Sequence, residues 1–137
     1  MLMDEITARK RGIKPLARIL GFEDIGVHPN DFVMANSVTV SSLLQKSGLD
    51  ISQIDVHEIH ESYAGVALAN IKQLGMDPAK VNIHGGAISV GDPLGMSGAR
   101  LVLSTITALK RTRKEIGIAS IGFGGAGASA IMIQNID

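Results

Sequence analysis

Residues 81–100 read VNIHGGAISVGDPLGMSGAR, and this stretch decides how the fold is interpreted. The short run VNI (81–83) is typical of a buried strand, and five glycines follow between residues 85 and 98. A helix is predicted over 99–112, with apolar residues along one face and basic residues in its last turn, where positive charge is favourable. A strand, a loop and a helix in this order form the unit from which α/β sheets are built.

The same alternation continues on both sides of this stretch. Strands are predicted over 16–27, 54–59, 81–83, 116–122 and 128–136, and helices over 38–47, 62–74 and 99–112. Gly48 and Gly75 are predicted to end two of the helices, because glycine readily adopts the left-handed conformation that closes a helix. The order predicts an α/β domain with a five-stranded mixed sheet and helices on both faces. Most strands should be parallel, with the last one forming an antiparallel edge.

Composition limits the classes of protein that the chain can represent. A length of 137 residues fits a single domain over 1–137, and the core must be aliphatic because aromatic residues make up only 3%. The 13 basic and 13 acidic residues balance, so no electrostatic argument favours nucleic acid as a partner. The count of Cys is 0, which excludes disulfides, Cys-based zinc sites and a Cys nucleophile supplied by this chain.

One segment is apolar enough to raise the question of a membrane span. Residues 116–136 carry no charge and are long enough to cross a bilayer as a helix. Four glycines between residues 122 and 127 would break such a helix, so two strands and no membrane span are predicted. No signal peptide is visible in MLMDEITARKRG (1–12), so we expect a soluble protein and favour the cytoplasm.

Two motifs lie at the predicted strand ends. GFGGAG (122–127) matches a dinucleotide fingerprint, but a strand is predicted after it where the fingerprint needs a helix. A tight turn, or a cradle of backbone N–H groups for an oxyanion, is the preferred interpretation. In HEIHE (57–61) the two His are three apart rather than four, so no metal site is predicted. His57 is interpreted as an exposed or satisfied strand histidine, whereas His60 stands at a strand tip, where α/β sheets place chemistry.

A third motif, GDPLGMSG (91–98), precedes the predicted helix over 99–112. Ser97 is predicted to cap that helix, whose N-terminus could bind an anion. The glycines of this loop indicate close approach of the backbone to a ligand or to another chain segment. Glu61 is predicted to pair with a loop backbone, and Asp55 and Asp77 are interpreted as turn residues.

Three segments together resemble the C-terminal half of the thiolases: VHEIHESYAGVALANIKQLG (56–75), VNIHGGAISVGDPLGMSGAR (81–100) and GFGGAGASAIMI (122–133). The version with His at position 60 is most similar to the β-subunit of the trifunctional fatty-acid oxidation complex. The resemblance implies a thiolase-like C-terminal domain and acyl transfer on acyl-CoA thioesters. It also implies that the N-terminal catalytic half, which carries the family's Cys nucleophile, is absent from this chain.

The resemblance assigns catalytic positions, and at some of them this chain has a different residue from the family. His60 stands where the family's Asn or His helps to bind a thioester oxyanion, and Asp92 stands where the family has its catalytic His. Gly122 replaces the second catalytic Cys, which is the acid/base. Gly124 falls where a backbone N–H completes the second oxyanion hole. Substrate-binding positions are implied at Glu61, Gly91 and Pro93.

The two substitutions imply that the chain alone has no thiolase activity. An ionised Asp92 accepts hydrogen bonds and repels a developing negative charge, and Gly122 moves no proton. We therefore expect a split or degenerate acyltransferase domain, with coenzyme A thioester as substrate or ligand and no other cofactor. The alternatives are a pseudoenzyme that binds acyl-CoA or dimerises, and a fragment without a function of its own. The expected partner is a separate thiolase N-terminal half or a second copy of this chain.

Overall fold

The structure is a computed structural model and describes residues 1–136. The helices are α1 (Glu5–Lys10), α2 (Ala35–Ser47), α3 (Ala64–Leu74), α4 (Ala87–Val90) and α5 (Ser97–Thr112). The strands are β1 (Ala17–Gly26), β2 (Val56–Ile59), β3 (Ile116–Phe123) and β4 (Gly127–Asn135). Short 3-10 turns span Pro29–Met34, Ile51–Gln53 and Pro78–Lys80.

The described strands form one mixed sheet in the order β1-β4-β3-β2. β2 and β3 are parallel, whereas β4 is antiparallel to both of its neighbours, β3 and β1. β1, β2 and β3 therefore run in the same direction and only β4 opposes them. The prediction of an antiparallel edge is wrong, because β1 pairs with the side of β4 that the β3–β4 hairpin leaves open.

The sheet has four strands in the described residues, so the prediction of five is wrong. Val81 makes a single parallel bridge to His57, and the N–H of Asn82 donates to the His57 carbonyl at 2.8 Å. Asn82 then adopts φ 46°, and the chain turns away from β2. Its side chain continues the pairing in place of a backbone: Nδ2 donates to the Ile59 carbonyl at 3.0 Å, and the Ile59 N–H donates to Oδ1 at 2.9 Å.

Helices cover both faces of the sheet, as predicted. On one face Val40 and Leu43 of α2 pack with Ile118 and Met132 of the sheet, and α3 contributes the half-buried Ile71. On the other face α5 lies over the sheet through a smaller cluster, whose buried members are Val56, Ala108, Leu109 and Ile133. The core is aliphatic, in agreement with the low aromatic content.

Local signals set the ends of several elements. Gly48 and Gly75 close α2 and α3 with φ of 69° and 63°, which confirms both predicted stops. The Pro29–Met34 turn precedes α2, which begins at Ala35, three residues before the predicted start of the helix over 38–47.

One polar residue lies on the apolar face of α3. Asn70 is fully buried and accepts hydrogen bonds from the N–H and the hydroxyl of Ser37, at 2.7 and 2.5 Å. Its amide nitrogen donates to the carbonyls of Val33 and Val66. Asn70 thus satisfies its own polar atoms while it ties α3 to the start of α2.

The uncharged segment 116–136 is accounted for by the β3–β4 hairpin as far as Asn135. Two strands were predicted there, and the structure confirms them. Among residues 1–136, no helix has both the length and the apolar character needed to cross a bilayer.

Candidate functional site

The parallel pairing of β2 and β3 places their C-terminal ends at one edge of the sheet. Ile59 lies opposite Ser120, and the N–H of His60 donates to the Ser120 carbonyl at 2.9 Å. His60 and the hairpin turn after Phe123 are therefore at the same edge. In α/β folds this is the edge where ligands bind.

The His60 side chain is held between two residues at this edge. Its Nε2 lies 2.9 Å from Oδ1 of Asp92, and its Nδ1 lies 3.2 Å from Oγ of Ser62. An ionised carboxylate only accepts hydrogen bonds, so Nε2 carries the proton that faces Asp92. In the neutral imidazole Nδ1 is then the acceptor of the Ser62 hydroxyl. The His60 side chain is 8% exposed and that of Asp92 34%, so solvent reaches the pair from the Asp92 side.

Ser97 completes the surroundings of Asp92. Its hydroxyl donates to Oδ1 of Asp92, and the Pro93 carbonyl is also within 3.2 Å. The hydrogen bond from Ser97, followed by that from His60, holds the pKa of Asp92 below its ordinary value. The prediction that Ser97 caps α5 is wrong, because Met96 is the capping residue and the Ser97 hydroxyl is engaged by Asp92.

Glu61 connects the strand end to the glycine-rich loop. Oε1 accepts from Nδ2 of Asn82 at 2.8 Å, and Oε2 accepts from the N–H of Ile88 at 3.0 Å. A Cβ added to Gly86 would lie 2.3 Å from the Glu61 carboxyl group, so this glycine allows the close approach. The prediction that Glu61 pairs with a loop backbone is confirmed, and its role in substrate binding stays a prediction.

The loop between α4 and α5 contains the other two positions assigned to the substrate. Gly91 has φ 96°, a conformation that favours glycine, and it ends α4. Pro93 follows Asp92 and contributes the carbonyl that lies near Ser97. Both residues shape the loop that presents Asp92 to His60.

The motif GFGGAG forms the turn of the β3–β4 hairpin. Gly125 and Ala126 have φ of 93° and 65°, and β4 starts at Gly127. The tight-turn interpretation is confirmed. Gly122 pairs with Ala128 in the sheet, and a Cβ added to it would have only ordinary contacts, the nearest at 3.6 Å. The backbone at position 122 therefore accommodates a Cβ atom.

Comparison with known proteins agrees with this arrangement. A family model described as the thiolase C-terminal domain matches residues 13–135. The chain belongs to this family. It is 48% identical over 136 residues to the mitochondrial acetyl-CoA acetyltransferase of Bos taurus, and 39% identical to the cytosolic acetyl-CoA acetyltransferase of Gibberella zeae. These matches cover 99% of the chain but 32% and 34% of the relatives, so the chain spans about a third of their length.

Solved thiolase structures share the fold. The acetyl-CoA acetyltransferase of Bacillus anthracis superimposes with a TM-score of 0.94 at 36% identity, over 98% of this chain and 34% of that one. Human mitochondrial 3-ketoacyl-CoA thiolase in complex with CoA gives 0.93 at 33% identity, over 97% and 34%. The resemblance to the thiolases is thus confirmed, and the trifunctional β-subunit type stays a prediction.

Beside the site, this thiolase domain buries two ionisable groups, Glu58 and His57, of which only His57 was interpreted from the sequence. Glu58 is fully buried, and neither of its carboxylate oxygens has a hydrogen-bond partner in the described chain. Burial raises the pKa of Glu58 to about 7, although the positive charge of Arg100 opposes the shift. Burial, together with Lys80, lowers the pKa of His57 to about 4. The interpretation of His57 as an exposed or satisfied strand histidine is therefore wrong, because the residue is buried and its Nδ1 has no partner among the described residues.

Ser62 and Asn82 were also missed as contributors to the site. The signal for Ser62 is its place two residues after His60 in the turn between β2 and α3. The signal for Asn82 is an asparagine inside a predicted strand, where asparagine is unfavourable. In the described part of the chain, no three His, Asp or Glu side chains cluster as a metal site would require.

Proposed function

We propose that this chain is the C-terminal domain of a thiolase-type acyl-CoA acyltransferase that supplies one side of a thioester site without completing it. The pairing of His60 with Asp92 at 2.9 Å is the observation that supports this. A thioester oxygen that gains negative charge needs hydrogen-bond donors around it. The Nε2 proton of His60 is directed to Asp92, and the Asp92 carboxylate would repel that oxygen.

The other substitutions weaken the chemistry further. Removing one oxyanion donor lowers a rate by roughly 10²–10³, and losing a general acid or base lowers it by roughly 10²–10⁴. Gly122 has no side chain to move a proton, and the sequence contains 0 Cys to carry an acyl group. Backbone donors such as the N–H of Gly124 survive a change of side chain, so acyl-CoA binding is the part of the function that we expect this chain to keep.

An assay of 3-ketoacyl-CoA cleavage tests the catalytic part of the proposal. The purified chain, supplied with free coenzyme A, should give no turnover above the background reaction. Thiol-dependent turnover at 1 s⁻¹ or more, roughly the lower end of usual enzyme rates, would contradict it.

Calorimetric titration with acetyl-CoA tests the binding part. It is done on the chain alone and after addition of the N-terminal half of a related acetyl-CoA acetyltransferase. Heat of binding that depends on the added half supports a split site, and heat from the chain alone supports a domain that binds acyl-CoA without that half. No heat in either experiment would remove coenzyme A thioesters as ligands.

Exposed apolar side chains favour a second candidate function, that of an association domain. Leu94 is 90% exposed, Phe22 73% and Ile88 63%. A groove of about 250 Å³ between α5 and the sheet is lined by further apolar side chains, among them Leu101, Ile121 and Ile131. We propose that a thiolase N-terminal half or a second copy of the chain covers these apolar side chains. Sedimentation velocity of the chain, alone and with that half, distinguishes the two partners, and a monomer in both samples would contradict the association.

A further inference from the structure

The structure assigns to Ser62, His60 and Asp92 the arrangement of a Ser-His-Asp triad, and we propose that Ser62 is an acyl-accepting nucleophile. The three side chains form one chain of hydrogen bonds, with 3.2 Å from Ser62 Oγ to His60 Nδ1 and 2.9 Å from His60 Nε2 to Asp92 Oδ1. In such a triad the imidazole takes the hydroxyl proton while the carboxylate holds its orientation and tautomer. This inference rests on the proposed function only for the identity of the acyl donor.

The protonation states fit the roles. Two hydrogen bonds keep the pKa of Asp92 low, so its carboxylate fixes the proton of His60 on Nε2. In the neutral imidazole Nδ1 is then the unprotonated nitrogen, and it is the nitrogen that faces the Ser62 hydroxyl. The two ring nitrogens have exchanged the places they take in the serine proteases. The chemistry is unchanged, because either nitrogen of imidazole can accept the proton while the other is held.

The proposed nucleophile is exposed to solvent, whereas its base is buried. His60 is 6% exposed, and Ser62 is exposed in the turn between β2 and α3, where an acyl donor can reach its oxygen. Helix α3 begins two residues later, at Ala64, and Tyr63 gives it no side-chain cap in the described structure. The first amide N–H groups of a helix lack i−4 acceptors. That of Val66 donates to the Tyr63 carbonyl at 3.0 Å, which leaves those of Ala64 and Gly65 as the donors that we propose for an oxyanion formed at Ser62.

The reaction is acyl transfer to water by way of Ser62. The Oγ–H of Ser62 adds to the carbonyl carbon of a thioester or ester, and its proton passes to Nδ1 of His60. The bond from the carbonyl carbon to sulfur or oxygen then breaks, and the leaving group takes the proton from Nδ1. Water attacks the acyl-Ser62 ester with the same base, which releases the carboxylic acid and restores the Ser62 hydroxyl. Asp92 is a positioning residue in every step.

Probes that contain no coenzyme A test this inference separately from acyl-CoA binding. The full chain is incubated with a fluorophosphonate, the labelled peptide is identified by mass spectrometry, and hydrolysis of p-nitrophenyl acetate is followed. We expect label on Ser62, a reaction slowed roughly 10²–10⁴-fold in His60→Gln, and no label in Ser62→Ala. The exposed Ser41 of α2 gives the matched control, and Ser41→Ala should leave both readouts unchanged. A folded wild-type chain without label on Ser62, or labelling that is indifferent to His60→Gln, would overturn the inference.

Two further measurements address the base and the positioning residue. The sequence has 0 Cys, so Ser62→Cys introduces its sole thiol, and the rate of alkylation by iodoacetamide reports how strongly His60 activates that position. The rate should fall when His60→Gln is added, and an equal rate in the two variants would contradict the role of His60. For Asp92, ¹⁵N chemical shifts of the His60 ring should show the Nε2-H tautomer in the wild type and a shift toward Nδ1-H in Asp92→Asn. An unchanged tautomer would remove Asp92 from the triad.

Discussion

The side chain of Asn82 pairs with the backbone of Ile59 through both of its polar atoms, at 2.9 and 3.0 Å, as a neighbouring strand would. Ile59 is the last residue of β2 and is 1% exposed, so its N–H and carbonyl need partners inside the protein. Asn82 also donates to Glu61, which connects the strand end to the glycine-rich loop. A single amide therefore supports the edge from which His60 projects.

We predict that Asn82→Ala lowers the free energy of unfolding by about 1–3 kcal/mol, because two buried backbone groups of Ile59 lose their partners. Urea denaturation measures the change. Asn82→Gly is the control, since glycine accepts the φ of 46° without strain but has no amide. A glycine variant as stable as the wild type would show that the hydrogen bonds contribute nothing and that backbone strain explains the alanine result.

We predict a pH dependence of stability from the buried carboxyl of Glu58. Its pKa is raised from 4.5 to about 7 by burial, so between these values the folded state keeps a proton that the unfolded state has released. The protonated Glu58 carboxyl group therefore favours the folded state, and its contribution to the free energy of unfolding is lost as the pH rises from 4.5 through 7. Glu58→Gln should gain stability relative to the wild type across that range, as measured by urea denaturation at pH 5 and pH 8. The exposed Asp31→Asn is the control, and a Glu58→Gln difference that is constant with pH would contradict the prediction.

The buried His57 side chain should also make the stability of the protein depend on pH, in the acidic range. Here stability should rise with pH, whereas it falls with pH for Glu58. Its pKa is lowered from 6.5 to about 4, so the unfolded state binds the proton first as the pH falls. The stability due to neutral His57 is thus present above pH 6.5 and is lost as the pH falls toward 4. We expect His57→Leu to lose less stability than the wild type between pH 6.5 and 4.5 in thermal unfolding. His84 is exposed, and His84→Leu should follow the wild-type curve.

The glycines of the hairpin turn should differ sharply in their tolerance of alanine. A Cβ on Gly127 would lie 2.3 Å from Cζ of Phe123 and 2.7 Å from the Ile25 carbonyl, which is backbone and cannot easily move. We predict that Gly127→Ala costs about 1–3 kcal/mol in the free energy of unfolding. Gly124→Ala is the matched control, because no described atom lies within 4 Å of its Cβ. Equal stabilities of the two variants in urea would contradict this account of the turn.

The features of the fold that depend on neighbouring residues could be predicted from the sequence. The stops at Gly48 and Gly75 and the turn after Phe123 follow from local backbone preferences, and the structure has all three. The place of β4 between β1 and β3 depends on pairing between distant segments, which no local pattern encodes. The prediction of a strand over 81–83 is wrong because the side chain of Asn82, and not the backbone of this segment, makes the hydrogen bonds to Ile59.

In the candidate site, too, local sequence signals could be predicted and contacts between distant residues could not. Family resemblance pointed to positions 60 and 92, but the hydrogen bond between His60 and Asp92 joins residues 32 apart and depends on how the loop before α5 folds back. Ser97 carries a local capping signal and instead donates to Asp92, because Asp92 offers a charged acceptor. Which polar groups find each other across the loop is a tertiary property.

The central position of β4 in the sheet has a consequence for how the domain folds during synthesis. β1 is synthesised before β4, and within the described sheet β1 hydrogen-bonds only to β4. Until residues 127–135 have been added, β1 has no partner in the described sheet and β3 is paired only with β2. The sheet is complete only when β4 lies between β1 and β3, so before that point the nascent chain presents two unpaired strand edges, which favour aggregation.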